Sequence, residues 1–309
     1  MAEKNRLVII AGPTASGKSI IGLRLAKELG GEIINADSVQ VYKFFDIGSA
    51  KPTIEERVLV PHHLIDIALP DEDFNAYKFK ELARAKVREI FQRGNVPIVV
   101  GGTGLYIRTF LYDLFNQDED KIKREREKIL EEIKTRGLDL LYEELKLVDS
   151  KSAKKIHPND YIRISRALEY YRAYKKPISE VQEDFTKKES FCEFKIFIPL
   201  WDKSSLLERI KERTIKIFKN GIIDEVKKIL SLGYSKDIKP FKSIGYKEAL
   251  KIIEGQITLE EAINETIKET KDYAKRQIVW FKKERNVEFV DCVDDNFCKI
   301  IDEIKKFLK

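Results

Sequence analysis

The sequence predicts an α/β fold, a parallel sheet wound with helices and interrupted by an all-helical insertion. Three observations carry this expectation. The first hundred residues alternate short apolar runs with amphipathic segments, the pattern of successive β-α-β units. From about residue 118 to 185 there is no buried-strand run, only helical periodicity broken at Gly137, Pro158 and Pro177. A strand pattern then returns at Glu193–Pro199, so the sheet resumes after the insertion. A chain of 309 residues suits one large domain with an insertion, or two domains. The expected division is a core of residues 1–115 and 186–309 around an insertion of 116–185.

In chain order, Arg6–Gly12 (RLVIIAG) has a buried-strand pattern, Lys18–Leu29 that of a helix, and Gly31–Asp37 that of a second strand. Phe74–Arg93 reads as a helix, Val96–Gly102 as a third strand and Leu105–Leu111 as a helix. After the insertion come the Glu193–Pro199 strand, helices at Lys203–Lys219, Ile222–Leu230, Tyr246–Ile253 and Leu259–Lys282, and a strand at Val287–Val290. Asp302, Glu303 and Lys305 mark the last stretch as an ordinary surface helix.

Composition narrows the class. Hydrophobic residues at 43% and charged residues at 36% lie far from the signature of disorder. No apolar run is long enough to cross a bilayer, and MAEKNRLVIIAG breaks its apolar stretch before any cleavage-like site, so a cytoplasmic protein without membrane partners is expected. Cys192, Cys292 and Cys298 form no CxxC pair, which excludes a disulfide scaffold or zinc finger. The net charge of +6 permits an anionic partner without requiring one. Its distribution is uneven: Asn116–Asp149 holds eight basic against eleven acidic residues, Lys151–Lys176 eight against two.

Gly12-Pro13-Thr14-Ala15-Ser16-Gly17-Lys18-Ser19 fits G-x-x-x-x-G-K-S between an apolar strand and a helical segment, the context a P-loop requires. The fold class is therefore P-loop NTPase-like, with the nucleotide- and ATP-binding associations of that loop. Gly12, Thr14, Ala15, Ser16 and Gly17 supply a backbone cradle for a diphosphate or triphosphate. Lys18 adds charge, and Ser19 offers a ligand for Mg²⁺. Switch and motor enzymes place an acidic Mg²⁺ partner after an apolar strand, whereas here Val96–Val100 runs into Gly101-Gly102-Thr103-Gly104. The carboxylate that follows a strand is Asp37, at the edge where open α/β sheets bind ligands. Asp37 is thus a candidate proton acceptor, and Thr103 a hydrogen-bond partner for a leaving phosphate oxygen; both residue types equally serve as caps.

These residues, with others in order along the chain, resemble the tRNA dimethylallyltransferases, also called tRNA isopentenyltransferases. The resemblance runs through GPTASGKS, Asp37-Ser38-Val39-Gln40-Val41-Tyr42, Asp46–Pro52, PHHLID (Pro61–Asp66), GGTGLYI (Gly101–Ile107), HPND with RISRALE (His157–Asp160, Arg163–Glu169), IGYKE (Ile244–Glu248) and YAKRQIVWFKK (Tyr273–Lys283). It spans nearly the whole chain, and the absence of a zinc-finger tail resembles the bacterial form. Departures are Lys43-Phe44-Phe45, where a Gly-Met pair is common, and Ser49, where Thr is common; they put the loop after Gln40 in question.

The resemblance implies transfer of a dimethylallyl group from dimethylallyl diphosphate to N6 of an adenosine 3′-adjacent to the tRNA anticodon, with Mg²⁺ as cofactor. Asp37 takes the N6 proton, Thr103 meets the departing diphosphate, and Arg213 reaches the same phosphates. The adenine must swing out of its loop to be reached. Asp37, Ser38, Val39 and Gln40, with Arg163, Arg166, Lys275, Arg276 and Gln277, are the expected tRNA contacts, and the insertion is expected to clamp the anticodon stem-loop with its basic half. A monomer is expected. His62, His63 and His157 lack metal-ligand spacing and read as structural hydrogen-bonders. The alternatives are an adenylate isopentenyltransferase acting on free AMP or ADP, a P-loop small-molecule kinase, and an RNA-binding module regulated through its P-loop.

Overall fold

A computed structural model describes residues 6–112, 119–183 and 188–309. The chain divides into two compact units, Met1–Leu111 with Phe191–Lys309, and Tyr112–Ser190. The expected borders at 115/116 and 185/186 lie outside the described residues.

The first unit is built on six parallel strands, β1 (Arg6–Ala11), β2 (Glu32–Asn35), β3 (His62–His63), β4 (Pro97–Gly101), β5 (Glu193–Leu200) and β6 (Val287–Asp291), in the order β3-β2-β4-β1-β5-β6. Its helices are α1 (Lys18–Leu29), α2 (Ile54–Leu59), α3 (Ala76–Gln92) and α4 (Gly104–Leu111) before the second unit, then α10 (Lys203–Lys219), α11 (Ile222–Ser231), α12 (Tyr246–Ile253), α13 (Leu259–Phe281) and α14 (Cys298–Leu308). Leu7 to Ala11 have no exposed surface. Burial on both faces is why β1 reads as a continuous apolar run rather than an alternating one.

Because every pairing is parallel, all strands end on one edge. β1 and β2 both pair with β4, so the segments leaving these three strands, Gly12–Ser19, Ala36–Gln40 and Gly102–Thr103, emerge side by side. The ends of β2 and β4 touch: the Ala36 N–H donates to the Val100 carbonyl at 2.8 Å, and a Cβ on Gly101 would lie 2.2 Å from the Ala36 carbonyl oxygen. Only glycine permits that approach.

Three elements of this unit go beyond the sequence reading, the two-residue β3, the short α2 and a 3-10 turn at Lys239–Lys242. The last helix is the expected surface helix: Lys299, Asp302 and Lys306 are exposed on α14, while Ile300, Ile301 and Ile304 pack into the core with Val8, Ile10 and Ile21. The apolar stripe between its charges supplies the buried face.

The second unit is all-helical among the described residues: α5 (Glu119–Arg136), α6 (Leu138–Val148), α7 (Ser150–Ala153), α8 (Tyr161–Tyr174) and α9 (Ile178–Glu183). Ile129, Leu141, Leu145, Ile164, Leu168 and Ile178 form its core. Buried Asp149 ties it together, accepting from Ser152 N–H at 2.9 Å and from Ser179 N–H at 3.0 Å. Part of the local basic excess is neutralised internally. Arg172 lies 2.7 Å from Glu132 and 2.5 Å from Glu144, and Arg166 is 3.2 Å from Glu169. No helix among the described residues is long and apolar enough to cross a membrane.

Candidate active site

The loop from Gly12 to Ser19 wraps ahead of α1 with positive φ at Gly12, Ala15 and Gly17 (124°, 63° and 89°), which turns successive amides toward a common concavity. Its outer side is braced by residues far along the chain. Trp201 donates its indole N–H to the Ser16 carbonyl at 3.0 Å, Arg209 donates to the Ala15 carbonyl at 2.9 Å, and a Cβ on Gly17 would lie 2.3 Å from the Phe297 ring. The Arg209 guanidinium also lies 4.2 Å from the Trp201 ring centroid and 2.7 Å from Asp295. None of Trp201, Arg209 and Phe297 was marked by the sequence, because no motif links them to the loop.

Lys18, half-buried at the start of α1, donates to the Pro13 carbonyl. Burial and the Arg213 guanidinium lower its ammonium pKa from 10.5 to about 7, against an opposing effect of Asp37. Burial likewise lowers the Arg213 pKa, while Asp37 raises it. Lys18, Arg213 and Asp37 are therefore near enough to act on one another's charge, two cations and one carboxylate. Such an excess of positive charge is costly unless an anion joins it.

Asp37 accepts from the Val39 and Gln40 N–H groups through Oδ1, at 2.8 and 3.2 Å, and Oδ2 accepts no hydrogen bond among the described residues. The turn role and the chemical role thus divide between its two oxygens. Thr103 Oγ1 accepts the Ser38 N–H at 3.1 Å, which leaves its own hydroxyl proton to donate. Gln40 is less free than the sequence implies: its amide nitrogen donates to the Ser49 and Ala50 carbonyls at 3.1 and 3.2 Å. Arg213 donates to the same Ser49 carbonyl at 3.3 Å.

That carbonyl is fixed from below. Glu225 accepts from the N–H groups of Asp46, Ile47 and Gly48 at 2.9, 2.6 and 3.2 Å, and from the Tyr246 hydroxyl at 2.6 Å. The segment in which Ser49 replaces the common Thr is therefore held by a carboxylate the sequence reading did not single out.

The remaining candidates separate. Lys275 and Arg276 are exposed on α13, whereas Gln277 on the same turn is 5% exposed, accepting from Thr14 N–H and donating to the Gly102 carbonyl, each at 2.9 Å. Thr14 N–H, expected in the phosphate cradle, is thereby engaged by Gln277. Arg163, 69% exposed at its side chain, lies in the second unit with Arg166. The three histidines all make hydrogen bonds, locally for His62 to Val60 and His157 from the Asn159 N–H, and between neighbouring strands for His63 to Glu32.

For Mg²⁺ the loop offers the exposed Ser19 hydroxyl, and among the described residues no group of three or more His, Cys, Asp and Glu side chains is placed to hold a metal. One hard oxygen donor beside a phosphate cradle fits an ion that takes most of its ligands from phosphate and water.

A family model described as IPP transferase matches residues 40–284. A protein named tRNA dimethylallyltransferase from Thermoanaerobacter sp. (strain X514) is 44% identical over 303 residues, 97% of this chain and 95% of that protein. Among solved structures, a tRNA delta(2)-isopentenylpyrophosphate transferase from Staphylococcus epidermidis is 38% identical, covers 99% of both chains and superposes with a TM-score of 0.71. A eukaryotic dimethylallyltransferase acting on tRNA is 28% identical, with 97% of this chain and 78% of that one covered and a TM-score of 0.83. With that match over most of its length, and with a P-loop, an Asp37 turn and a Thr103 turn meeting on one sheet edge, the chain belongs to the IPP transferase family.

Proposed function

We propose that this chain transfers a dimethylallyl group from dimethylallyl diphosphate to N6 of the adenosine 3′-adjacent to the anticodon of tRNA. The observation that carries the reading is the meeting of the Gly12–Ser19 loop with the Asp37 and Thr103 turns on one sheet edge, a place for a polyanion beside a place for a proton. The relatives' names describe the same class of transfer.

Loop amides, Lys18 and Arg213 hold the diphosphate, and the Thr103 hydroxyl donates to the oxygen that leaves. The allylic C–O bond breaks with its electron pair passing to the diphosphate, the N6 lone pair forms the new C–N bond, and the N6 proton passes to Asp37. Ser19 would hold Mg²⁺, which would supply further charge neutralisation on the diphosphate. Ser38, Val39 and Gln40 border the acceptor. In this reading the protein works as a monomer in the cytoplasm; a stable dimer in sedimentation would remove the first part.

The test is direct. With labelled dimethylallyl diphosphate and Mg²⁺, label is expected on tRNA adenosine and not on AMP or ADP. Label on free nucleotide would make this an adenylate isopentenyltransferase, and phosphate transfer from γ-labelled ATP to a small acceptor would make it a kinase.

A pH dependence follows from Lys18. Free, its pKa is about 7; a bound diphosphate raises it. Donor affinity is therefore fully developed below about pH 7 and weakens by up to about tenfold per pH unit above it, until pH reaches the raised value. Calorimetry of donor binding at pH 8, in buffers of different ionisation enthalpy, should register uptake of roughly one proton. Zero uptake would contradict the Lys18 assignment.

Lys154, Lys155, Arg163 and Arg166 face the RNA in this reading. Replacing all four with alanine should weaken tRNA binding and flatten the dependence of log Kd on log salt by roughly two to three. An unchanged slope would remove the second unit from the RNA interface.

A further inference from the structure

We propose that Gln277 is a positioning residue: its buried amide ties the donor loop to the turn carrying Thr103, and so fixes both to the helix that presents Lys275 and Arg276. The inference rests on the prenyl-transfer reading and deepens it. Adjacent positions on α13 have opposite environments. Lys275 and Arg276 are exposed, whereas Gln277 is 5% exposed and its Oε1 and Nε2 are both used, by Thr14 N–H and the Gly102 carbonyl at 2.9 Å each.

The seat is shaped for the amide. A Cβ on Gly102 would stand 2.3 Å from Nε2 and 3.3 Å from the Gly12 carbonyl, so the turn after β4 can meet this side chain only as glycine. A primary amide is also the side chain that both accepts and donates through one planar group, which the pairing of an N–H with a carbonyl demands. Through this link the phosphate cradle and the Thr103 hydroxyl are held at a set separation, as a leaving group gripped from both sides requires. A residue in this position acts on the donor and on turnover, and not through contact with RNA.

Gln277→Met, close in length and unable to make either bond, should raise the donor KM at least tenfold and lower kcat by roughly ten- to a hundredfold, since two buried backbone groups lose their partners. The tRNA Kd should stay within about twofold, because the exposed cations of α13 are untouched. Gln277→Glu keeps the acceptor for Thr14 N–H but faces the Gly102 carbonyl with a second acceptor. Protonation supplies the missing donor, so the defect relative to wild type should shrink as pH falls from 8 to 6.

In the unaltered protein the Thr14 amide should be strongly protected from hydrogen exchange without donor present, which decides the matter even if a variant fails to fold. Wild-type donor KM and kcat in Gln277→Met would overturn the proposal. So would a selective loss of tRNA affinity, or a Thr14 amide exchanging as an open loop does. A wild-type protein that prenylates nothing would instead sink the functional reading, and Thr14 protection would still report on the link.

Discussion

Asp37→Asn is expected to lower kcat for prenyl transfer by about 10²–10⁴-fold, the range a positioned general base contributes. Donor and tRNA affinities should change by only a few-fold. Asparagine is the informative replacement because Asp37 has two duties. Its Oδ1 accepts the Val39 and Gln40 N–H groups, which an amide oxygen also does, so the turn bordering the acceptor survives. What asparagine lacks is the second oxygen's capacity to take a proton. Alanine would remove both duties and confound the loss of a base with the collapse of a turn. Turnover of Asp37→Asn within a few-fold of wild type, measured with saturating donor and tRNA, would refute the assignment.

Gly17→Ala is expected to damage the donor site from behind. At φ 89° an L-residue is strained, and the new Cβ would lie 2.3 Å from the Phe297 ring, which is itself 4% exposed in the core. Strain and overpacking together should cost about 2–5 kcal/mol of stability, read by thermal unfolding. The loop amides shift by a fraction of an ångström or more, and a displacement near 1 Å is enough to reduce kcat/KM for the donor by roughly a hundredfold. A Gly17→Ala protein with wild-type melting and wild-type kcat/KM would show that the brace from Phe297 does not set the loop.

The chemistry-bearing residues were legible because they sit in short, local patterns. GPTASGKS carries its conformational demands in its own letters, and Asp37 and Thr103 follow recognisable strand ends. Element types were legible wherever periodicity had room to show, as in β1 and α3. β3 escaped because two residues have no period, although the Thr53-x-x-Glu56 pattern that caps α2 was readable as a start signal. The braces of the site were not legible, for a physical reason. Trp201 to Ser16, Phe297 to Gly17 and Gln277 to Thr14 join positions that nothing local relates. Gln277 shows the limit most plainly: it stands beside Lys275 and Arg276 in sequence and was grouped with them as an RNA contact, whereas the helical turn points it inward.

The order of strands also governs how this protein can be made. β1 emerges first from the ribosome, yet one of its two neighbours, β5, is paired at Arg6↔Glu193 and cannot arrive until most of the polypeptide has been synthesised. Until then an apolar strand edge waits unpaired, and Phe297, which backs the phosphate loop, arrives later still. The donor site is thus completed only once the β5 and Phe297 segments have been made, and the apolar edge of β1 lacks its β5 partner in the meantime.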